Sequence, residues 1–357
     1  MDRATVNIYE KRGPEWVAQH PPIQRAHARA FAGGIRPGAL RIDLGCGAGR
    51  YTPDLGIPVI GLDAARSMLD GCASAAPHAL LVQGDLEALP FGPHTLHGGW
   101  AHMSYLHVPS VRLPAALADL HRTLVVGAPV EIQVLAGDYE GDALAADRLG
   151  SRFFAAWTPE RLRDVLVGAG FDVGAVDVEG DYARAGAVRA RTLPDTVGPG
   201  MRLLVVGLNP SIYSADVGVG YARPGNRFWP AALNAGLVTR DRDPSHAQRV
   251  HGVGMTDLVK RATANATSLE TEEYRAGMAR VERLVRWLEP AAVCFVGLTG
   301  WRVAVDRHAI AGRQTRRIGD RPVYVMPSTS GANAHARLDA LTDHLRAALA
   351  LVLASGQ

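Results

Sequence analysis

No run of apolar residues reaches the roughly 20 that a membrane-crossing helix needs, and the opening stretch MDRATVNIYEKRGPEW has no apolar core of a secretory signal. No membrane partner is expected, and the chain is expected to stay in the cytoplasm. Cysteine is scarce. Cys46, Cys72 and Cys294 lie far apart in the sequence and form no C-x-x-C pair, so neither a disulfide framework nor a zinc site is indicated. No metal is expected, and the three read as reduced thiols. Internal repeats and low-complexity tracts are also missing, which excludes solenoids and arrays.

The 357 residues are 47% hydrophobic and 20% charged, ordinary values for globular protein and enough for two cores. The net charge of +3 is unevenly spread. Up to residue 195 there are 18 Lys+Arg against 22 Asp+Glu, and beyond it 20 against 13, giving −4 and +7. The second part is the one suited to a polyanionic partner. A Gly- and Pro-rich segment, residues 185–200, is the clearest boundary. Before it, apolar runs at 40–44, 58–62, 79–82, 96–100 and 129–135 alternate with helix-like stretches at 112–124 and 159–169. After it, runs at 202–207, 292–296 and 322–326 alternate with helical patterns near 228–235 and 274–288, with a last helix over 336–353. The fold class is therefore α/β in both parts, with parallel sheets. Domains of residues 1–192 and 193–357 are expected.

In the first part the run RIDLGCGAG sets an apolar strand ahead of Gly45, Gly47 and Gly49. Glycines there permit positive φ and let a ligand approach the backbone closely. The third glycine follows the second by only two residues, which disfavours the G-x-G-x-x-G pattern of nicotinamide folds. Asp63 ends the second strand about 20 residues on, where a carboxylate can accept from ribose hydroxyls. Asp85 follows the third strand, placed for a nucleobase edge.

These features resemble class I S-adenosylmethionine-dependent methyltransferases of the small-molecule type, over most of residues 38–180. The D-L-G-C-G-A-G loop, the G-D-x-x-x-L-P-F segment at 84–91 and W-T-P-E-R-L ahead of G-F at 157–171 carry the likeness. The resemblance implies a Rossmann-like domain and S-adenosyl-L-methionine as cofactor. Asp43, Gly45, Cys46, Gly47 and Gly49 would border the methionine moiety, Asp63 the ribose, and Asp85 with Leu86 the adenine. The methyl acceptor is unspecified. His102, Tyr105 and His107 follow the fourth strand, where acceptor groups often lie, but a core role fits each at least as well. No N/D-P-P-Y or P-C motif is present, so DNA-base methylation is not the default expectation.

In the second part MRLLVVGLNPS ends a strand in a turn carrying Asn209, a carboxamide able to orient one water. GVGYARPGNRFW is a glycine-rich loop with an aromatic, and VYVMPSTSGAN closes a strand with a Pro/Ser/Thr/Gly loop. Both outer loops leave one edge of a parallel sheet, where open α/β sheets bind ligands.

Together with G-M-T-D-L-V-K-R at 254–261, these motifs resemble the mismatch-specific uracil- and thymine-DNA glycosylases of the uracil-DNA glycosylase superfamily, over residues 193–349. The resemblance implies a three-layer α/β/α domain with no cofactor, acting on double-stranded DNA that holds a mispaired or damaged pyrimidine. Asn209 would position the attacking water, and Tyr221 would stack on the extruded base. Gly207, Ser211 and Asn226, with the loop Pro327, Ser328, Thr329, Ser330 and Gly331, would contact base or DNA. Ala332 stands where familiar members carry a bulky wedge, a place that neighbouring Asn333 could take. The alternative is a non-cleaving DNA-binding module that brings the methyltransferase to nucleic acid.

Overall fold

The computed structural model describes residues 1–19, 25–145, 147–333 and 336–354. The chain forms two compact units, Met1–Ala190 and Arg191–Gln357. Among the described residues no helix is long and apolar enough to cross a membrane.

In the first unit α1 (Arg3–Gln19) and α2 (Arg25–Gly33) precede β1 (Arg41–Leu44), β2 (Val59–Asp63), α3 (Arg66–Ala75) and β3 (Leu80–Gln83). Then come β4 (Gly99–His102), α4 (Leu113–Thr123), β5 (Pro129–Ala136), β6 (Glu140–Gly141), β7 (Phe154–Trp157), α5 (Pro159–Gly168), β8 (Phe171–Glu179) and β9 (Tyr182–Arg189). The sheet runs β3-β2-β1-β4-β5-β7-β6, parallel from β3 to β7, and β9 pairs antiparallel with β5. The order reverses between β1 and β4, and at such a switch point the loops splay apart to leave a crevice.

Two expectations shift here. The apolar run at 96–100 yields a strand only from Gly99, because Leu96 turns into the core and bridges Leu124. The expected boundary segment begins inside β9, whose inward positions Ala183, Ala185 and Ala187 carry the alternation in methyl groups too small to read as a strand.

The second unit is built from β10 (Leu203–Gly207), α6 (Ile212–Val217), α7 (Phe228–Asn234), α8 (Pro244–His251), β11 (Val253–Asp257), α9 (Thr271–Leu288) and β12 (Ala292–Val296). It ends with α10 (Leu298–Ala304), β13 (Gly312–Arg313), β14 (Val323–Met326) and α11 (Leu338–Ala354). The sheet order is β11-β10-β12-β14-β13, with only β13 antiparallel. All residues of β10, β12 and β14 are buried, as a sheet covered on both faces requires. On one face Leu203, Val205, Cys294 and Met326 pack with Phe228, Trp229, Leu341 and Leu345 of α7 and α11. On the other, Phe295 meets Trp301 of α10, which packs on α9.

Strand β11 is not marked by an apolar run. Gly254 and the polar Thr256 and Asp257 dilute it, yet it pairs in register with all five residues of β10. A Cβ on Gly254 would fall 2.2 Å from Met201 Sδ, so close packing holds the glycine there.

Candidate functional site

In the second unit the apolar strand β10 delivers the 208–211 turn to the sheet's carboxyl edge. Backbone N–H groups of Leu258, Val259 and Thr263 donate to the carbonyls of Gly207, Leu208 and Pro210 at 2.9, 2.9 and 3.1 Å, locking the turn to the segment after β11. The Asn209 amide nitrogen donates to Thr263 Oγ1 at 2.8 Å, to the Arg261 carbonyl at 3.0 Å and to the Pro210 carbonyl at 3.3 Å. Three acceptors on one nitrogen fix the carboxamide's orientation and leave Oδ1 as its free acceptor end. Ser211 caps α6, its hydroxyl accepting from the Ser214 N–H at 3.1 Å.

Asn209 and Ser211 share a cavity of about 240 Å³ with Tyr221, Asn226, Ser328, Thr329 and Ser330. That is smaller than the roughly 300–1,000 Å³ of drug-sized pockets and suits a single heterocycle. The loops after β10 and β14 thus converge on one space. Arg227, just ahead of α7, ties the glycine-rich loop to the loop after β14, its backbone N–H donating to the Thr329 carbonyl at 2.9 Å and its guanidinium to the carbonyls of Ser330 (2.8 Å), Asn333 (2.6 Å) and Ala336. Thr329 is buried, whereas Ser328 and Ser330 are half-buried. Pro327 and Gly331 frame this loop, and a Cβ on Gly331 would press within 3.0 Å of the Gly225 carbonyl. Asn333 folds back, its amide donating to the Ser328 carbonyl at 2.9 Å, while Ala332 is exposed. Asn226 lines the cavity two residues ahead of α7, its side-chain oxygen accepting from the Phe228 N–H at 2.9 Å.

Tyr221 has φ of +59°, and its ring stacks on Phe228 with centroids 4.2 Å apart at 19°. One face is therefore spent on the core, while the residue also forms cavity wall. Its hydroxyl is buried without a partner, and burial, reinforced by the charge of Asp257, raises its pKa. Gly207 makes room for both groups, since a Cβ there would lie 2.3 Å from Asp257 Oδ1 and 3.0 Å from the Tyr221 oxygen.

Asp257, at the end of β11, is the acid in the cavity wall that the sequence reading left without a role. Burial pushes its carboxyl up to about 6, with Lys260 opposing the shift. The available signal was an acid closing the stretch VGMTD, beside a β10 that ends in glycine. Behind it, buried Asp195 binds Lys260 and Arg280, each at 2.8 Å, and accepts from Thr256 at 2.6 Å. Arg280 also holds the Asp257 carbonyl at 2.8 Å.

In the first unit Gly45, Gly47 and Gly49 take φ of +69°, +53° and +77°, which only glycine adopts without strain. The N–H groups of Gly45 and Cys46 share the Leu62 carbonyl at 2.8 and 2.9 Å, folding the loop over β2. A Cβ on Gly45 would fall 2.4 Å from Ser104 Cβ, so the loop abuts the chain leaving β4 at the switch point. Asp63 accepts from the N–H groups of Gly47 and Ala65, both at 2.9 Å, and burial raises its pKa. Asp43 accepts from Thr52 Oγ1 at 2.6 Å, and burial pushes its carboxyl to about 7. Asp85 and Leu86 lie on the loop after β3, joined to β2 by the Gly84 N–H on the Asp63 carbonyl at 3.0 Å. Leu86 is fully buried, and half-exposed Asp85 binds the Met1 ammonium at 2.8 Å.

Helix α1 packs against α3 and the glycine loop: Ser67 donates from Oγ to the Tyr9 carbonyl at 2.9 Å and from its N–H to Glu10 at 3.1 Å, and Trp16 stands 3.9 Å from a Cβ on Gly47. Cys46 and Cys72, distant in sequence, both border Gly61, with sulfurs 3.1 and 3.4 Å from a Cβ placed there. Of the three residues expected to follow the fourth strand, His107 has both ring nitrogens occupied, by Tyr9 Oη at 3.0 Å and the Phe153 carbonyl at 2.7 Å. Tyr105 is fully buried in the core. His102 closes β4 and meets Glu131.

Two family models match the chain, one in each unit. Residues 194–351 match the model of the uracil DNA glycosylase superfamily, and residues 42–127 match a methyltransferase domain. Solved structures similar to the chain include the DhpI–SAH complex, at 19% identity, covering 52% of this chain and 96% of that one with a TM-score of 0.44. A SAM-dependent methyltransferase from Methanosarcina mazei is similar at 16%, covering 45% and 97%, TM-score 0.41. One from Thermotoga maritima is similar at 15%, covering 52% and 99%, TM-score 0.40. The chain thus joins a methyltransferase domain to a domain of the uracil DNA glycosylase superfamily.

Proposed function

We propose that the domain at 193–357 hydrolyses the N-glycosidic bond of uracil or thymine in G:U and G:T mispairs, and that the domain at 1–192 transfers a methyl group from S-adenosylmethionine to a separate acceptor, both in the cytoplasm. The observation that carries the first part is the cavity shared by the loops after β10 and β14, with the Asn209 amide nitrogen tied on one side and its oxygen left free. The sugar–base bond is out of reach inside a stacked duplex, so the nucleotide must be extruded, at a cost of a few kcal/mol that is lowest at a mispair. Asn209 Oδ1 accepts from a water and aims it at the sugar carbon as the base leaves. A carboxamide cannot take the water's proton. Asp257, in the same wall and ionised above about pH 6, is the group able to receive it. The exposed part of Tyr221 offers the extruded base a stacking surface of about 1–3 kcal/mol. Gly207 keeps the slot open, Ser328 and Ser330 face the phosphate, and the +7 charge draws the polyanion.

The test is alkali-labile strand formation in G:U and G:T duplexes against matched A:U and A:T controls. The intact chain should leave alkali-labile sites in mispaired strands, and Asn209→Ala should lose about 100-fold or more of that activity while holding duplex within about tenfold. Equal activity in both proteins removes Asn209 from the mechanism. Binding without abasic sites makes the unit a non-cleaving module.

For the methyltransferase unit, the glycine loop with left-handed φ at three positions and the buried carboxylate at the end of β2 fit the cofactor. Gly45, Cys46, Gly47 and Gly49, with Asp43 beneath, would hold the methionine end, Asp63 the ribose, and Asp85 with the Leu86 backbone the adenine. S-adenosylmethionine supplies an activated methyl group, so the protein's contribution is proximity and alignment. Calorimetric titration with S-adenosylhomocysteine should show binding; none at millimolar ligand retires this assignment.

A further inference from the structure

The acceptor side of the methyltransferase unit holds a pairing that the cofactor assignment does not use. His102, the last residue of β4, is buried, and its Nε2 lies 3.0 Å from Glu131 Oε1 on β5. The same carboxylate oxygen takes His27 Nε2 from α2. A carboxylate accepts, so Nε2 of His102 carries the proton and Nδ1 carries the lone pair. That Nδ1 is buried and has no partner. The ring cannot turn to find one, being stacked on Trp100 at 3.7 Å and 14° with Tyr51 edge-on at 5.2 Å. Tyr51 follows the glycine loop by two residues, so the imidazole borders the cofactor cradle.

The next two residues mark the place further. Met103 is held at φ +56°, a strained conformation for a residue with a side chain, and Ser104, pressed against Gly45, has a buried hydroxyl oxygen without a partner. Strain and orphaned polar atoms cost free energy and collect where a ligand is to be met. Burial lowers the pKa of His102, opposed by Glu131 and reinforced by His27 and by Arg184 of β9, a shift that favours the neutral ring.

We infer that His102 is the proton acceptor of the methyl-transfer site and that the acceptor is a small molecule bearing a hydroxyl group. This rests on the methyltransferase reading above. Carboxylates are already ionised, thiols ionise in part, and neutral amines bring a lone pair of their own; a phenol, with a pKa near 10, must lose its proton as it attacks. The acceptor O–H bond breaks toward His102 Nδ1, the oxygen forms the new O–CH₃ bond, and the S–CH₃ bond breaks with its electron pair left on sulfur. The imidazolium that results is stabilised by Glu131, a positioning residue.

Three measurements on the full-length chain test this. Nitrogen-15 histidine spectra at neutral pH, with His102 assigned by its loss in His102→Gln, should show Nε2 protonated and Nδ1 free, and Glu131→Gln should change that pattern. An Nδ1–H tautomer in the native chain overturns the inference. Methyl-labelled S-adenosylmethionine should label hydroxyl probes (catechol, 4-nitrophenol, benzyl alcohol) in preference to benzoate, benzylamine and thiophenol. His102→Gln should lose about 100-fold or more of that rate at unchanged KM for the methyl donor. No label on the hydroxyl probes, or an equal rate in His102→Gln, overturns it. S-adenosylhomocysteine titration separates the two claims, since absent binding in the native chain defeats the methyltransferase reading itself, while binding retained by His102→Gln shows an intact fold.

Discussion

Both units set their candidate site where the strand order of a parallel sheet reverses, yet they line it with opposite chemistry. In the first, the wall is backbone and carboxyl: three glycines in left-handed conformation, Asp63 on the loop's own amide, Asp43 beneath. In the second it is neutral hydrogen-bonding groups, Asn209, Ser328 and Ser330, with Arg223 at the wall and Asp257 the one acid lining it among the described residues. The difference suits the ligands proposed for the two walls. A cationic sulfonium and ribose hydroxyls are met by acceptors and close backbone, whereas a polyanion tolerates few carboxylates and calls for amides, hydroxyls and guanidinium groups.

Each unit also holds a buried ion network, and removing a member is the largest expected effect. In the second, Asp195 holds Lys260, Arg280 and Thr256. Asp195→Ala strands two buried cations and should cost about 3–5 kcal/mol. In the first, Arg152 binds Asp147 at 2.6 Å and Tyr9 at 2.5 Å. If the units fold independently, Asp195→Ala abolishes base excision and leaves S-adenosylhomocysteine binding within twofold; loss of both, in chemical denaturation followed by titration, breaks the comparison.

The two sites also use glycine for different reasons, which single methyl groups can separate. Gly45→Ala meets both a left-handed φ and Ser104 Cβ at 2.4 Å, so backbone and β4 must both move. Cofactor affinity should fall at least tenfold, with a stability loss of about 1–3 kcal/mol. Gly207 has no such backbone demand, but its added methyl would strike Asp257 Oδ1 at 2.3 Å and the Tyr221 oxygen at 3.0 Å. Gly207→Ala should therefore lower excision about tenfold at little change in duplex affinity, measured by the same strand-cleavage and binding assays. A variant that excises normally shows the slot to be wider than these contacts allow.

What the sequence made legible follows the same division. Glycine loops and strand-end turns announce themselves, because few residue types satisfy their backbone; Gly45, Gly47 and Gly49 and the turn at Asn209 were readable in that way. Strand β11 and its Asp257 were not, since Gly254 answers to Met201 and the strand's burial comes from pairing with β10. The alternation of β9 was hidden in alanines. Tyr221 was read as a free stacking surface, although Phe228 already takes one face, a contact between positions whose meeting depends on α7 folding back. The adjacency of Cys46 and Cys72 and the pairing of His102 with Glu131 were invisible for the same reason, as each joins separate elements of the sheet.

A change of pH sharpens the contrast between the acids. Burial raises Asp43 to about 7 and Asp257 to about 6, whereas Asp195 is depressed despite its burial because Arg280 and Lys260 outweigh desolvation. A raised carboxyl contributes stability that is fully present below its unfolded value near 4 and is lost as pH rises through the folded value. The depressed Asp195 contributes in the opposite sense, present above the unfolded value and lost only as acid approaches its lower folded pKa. Both units should therefore weaken from about pH 4 upward, the second levelling off near pH 6 and the first only near pH 7, by roughly 2–4 kcal/mol. Hydrogen-exchange protection factors resolved for β10 and β1 would show declines that share a start near pH 4 and end at different pH. Asp257→Asn should remove the decline at β10 while leaving that at β1; a decline that ends at the same pH in both strands would mean that neither buried acid governs its own unit.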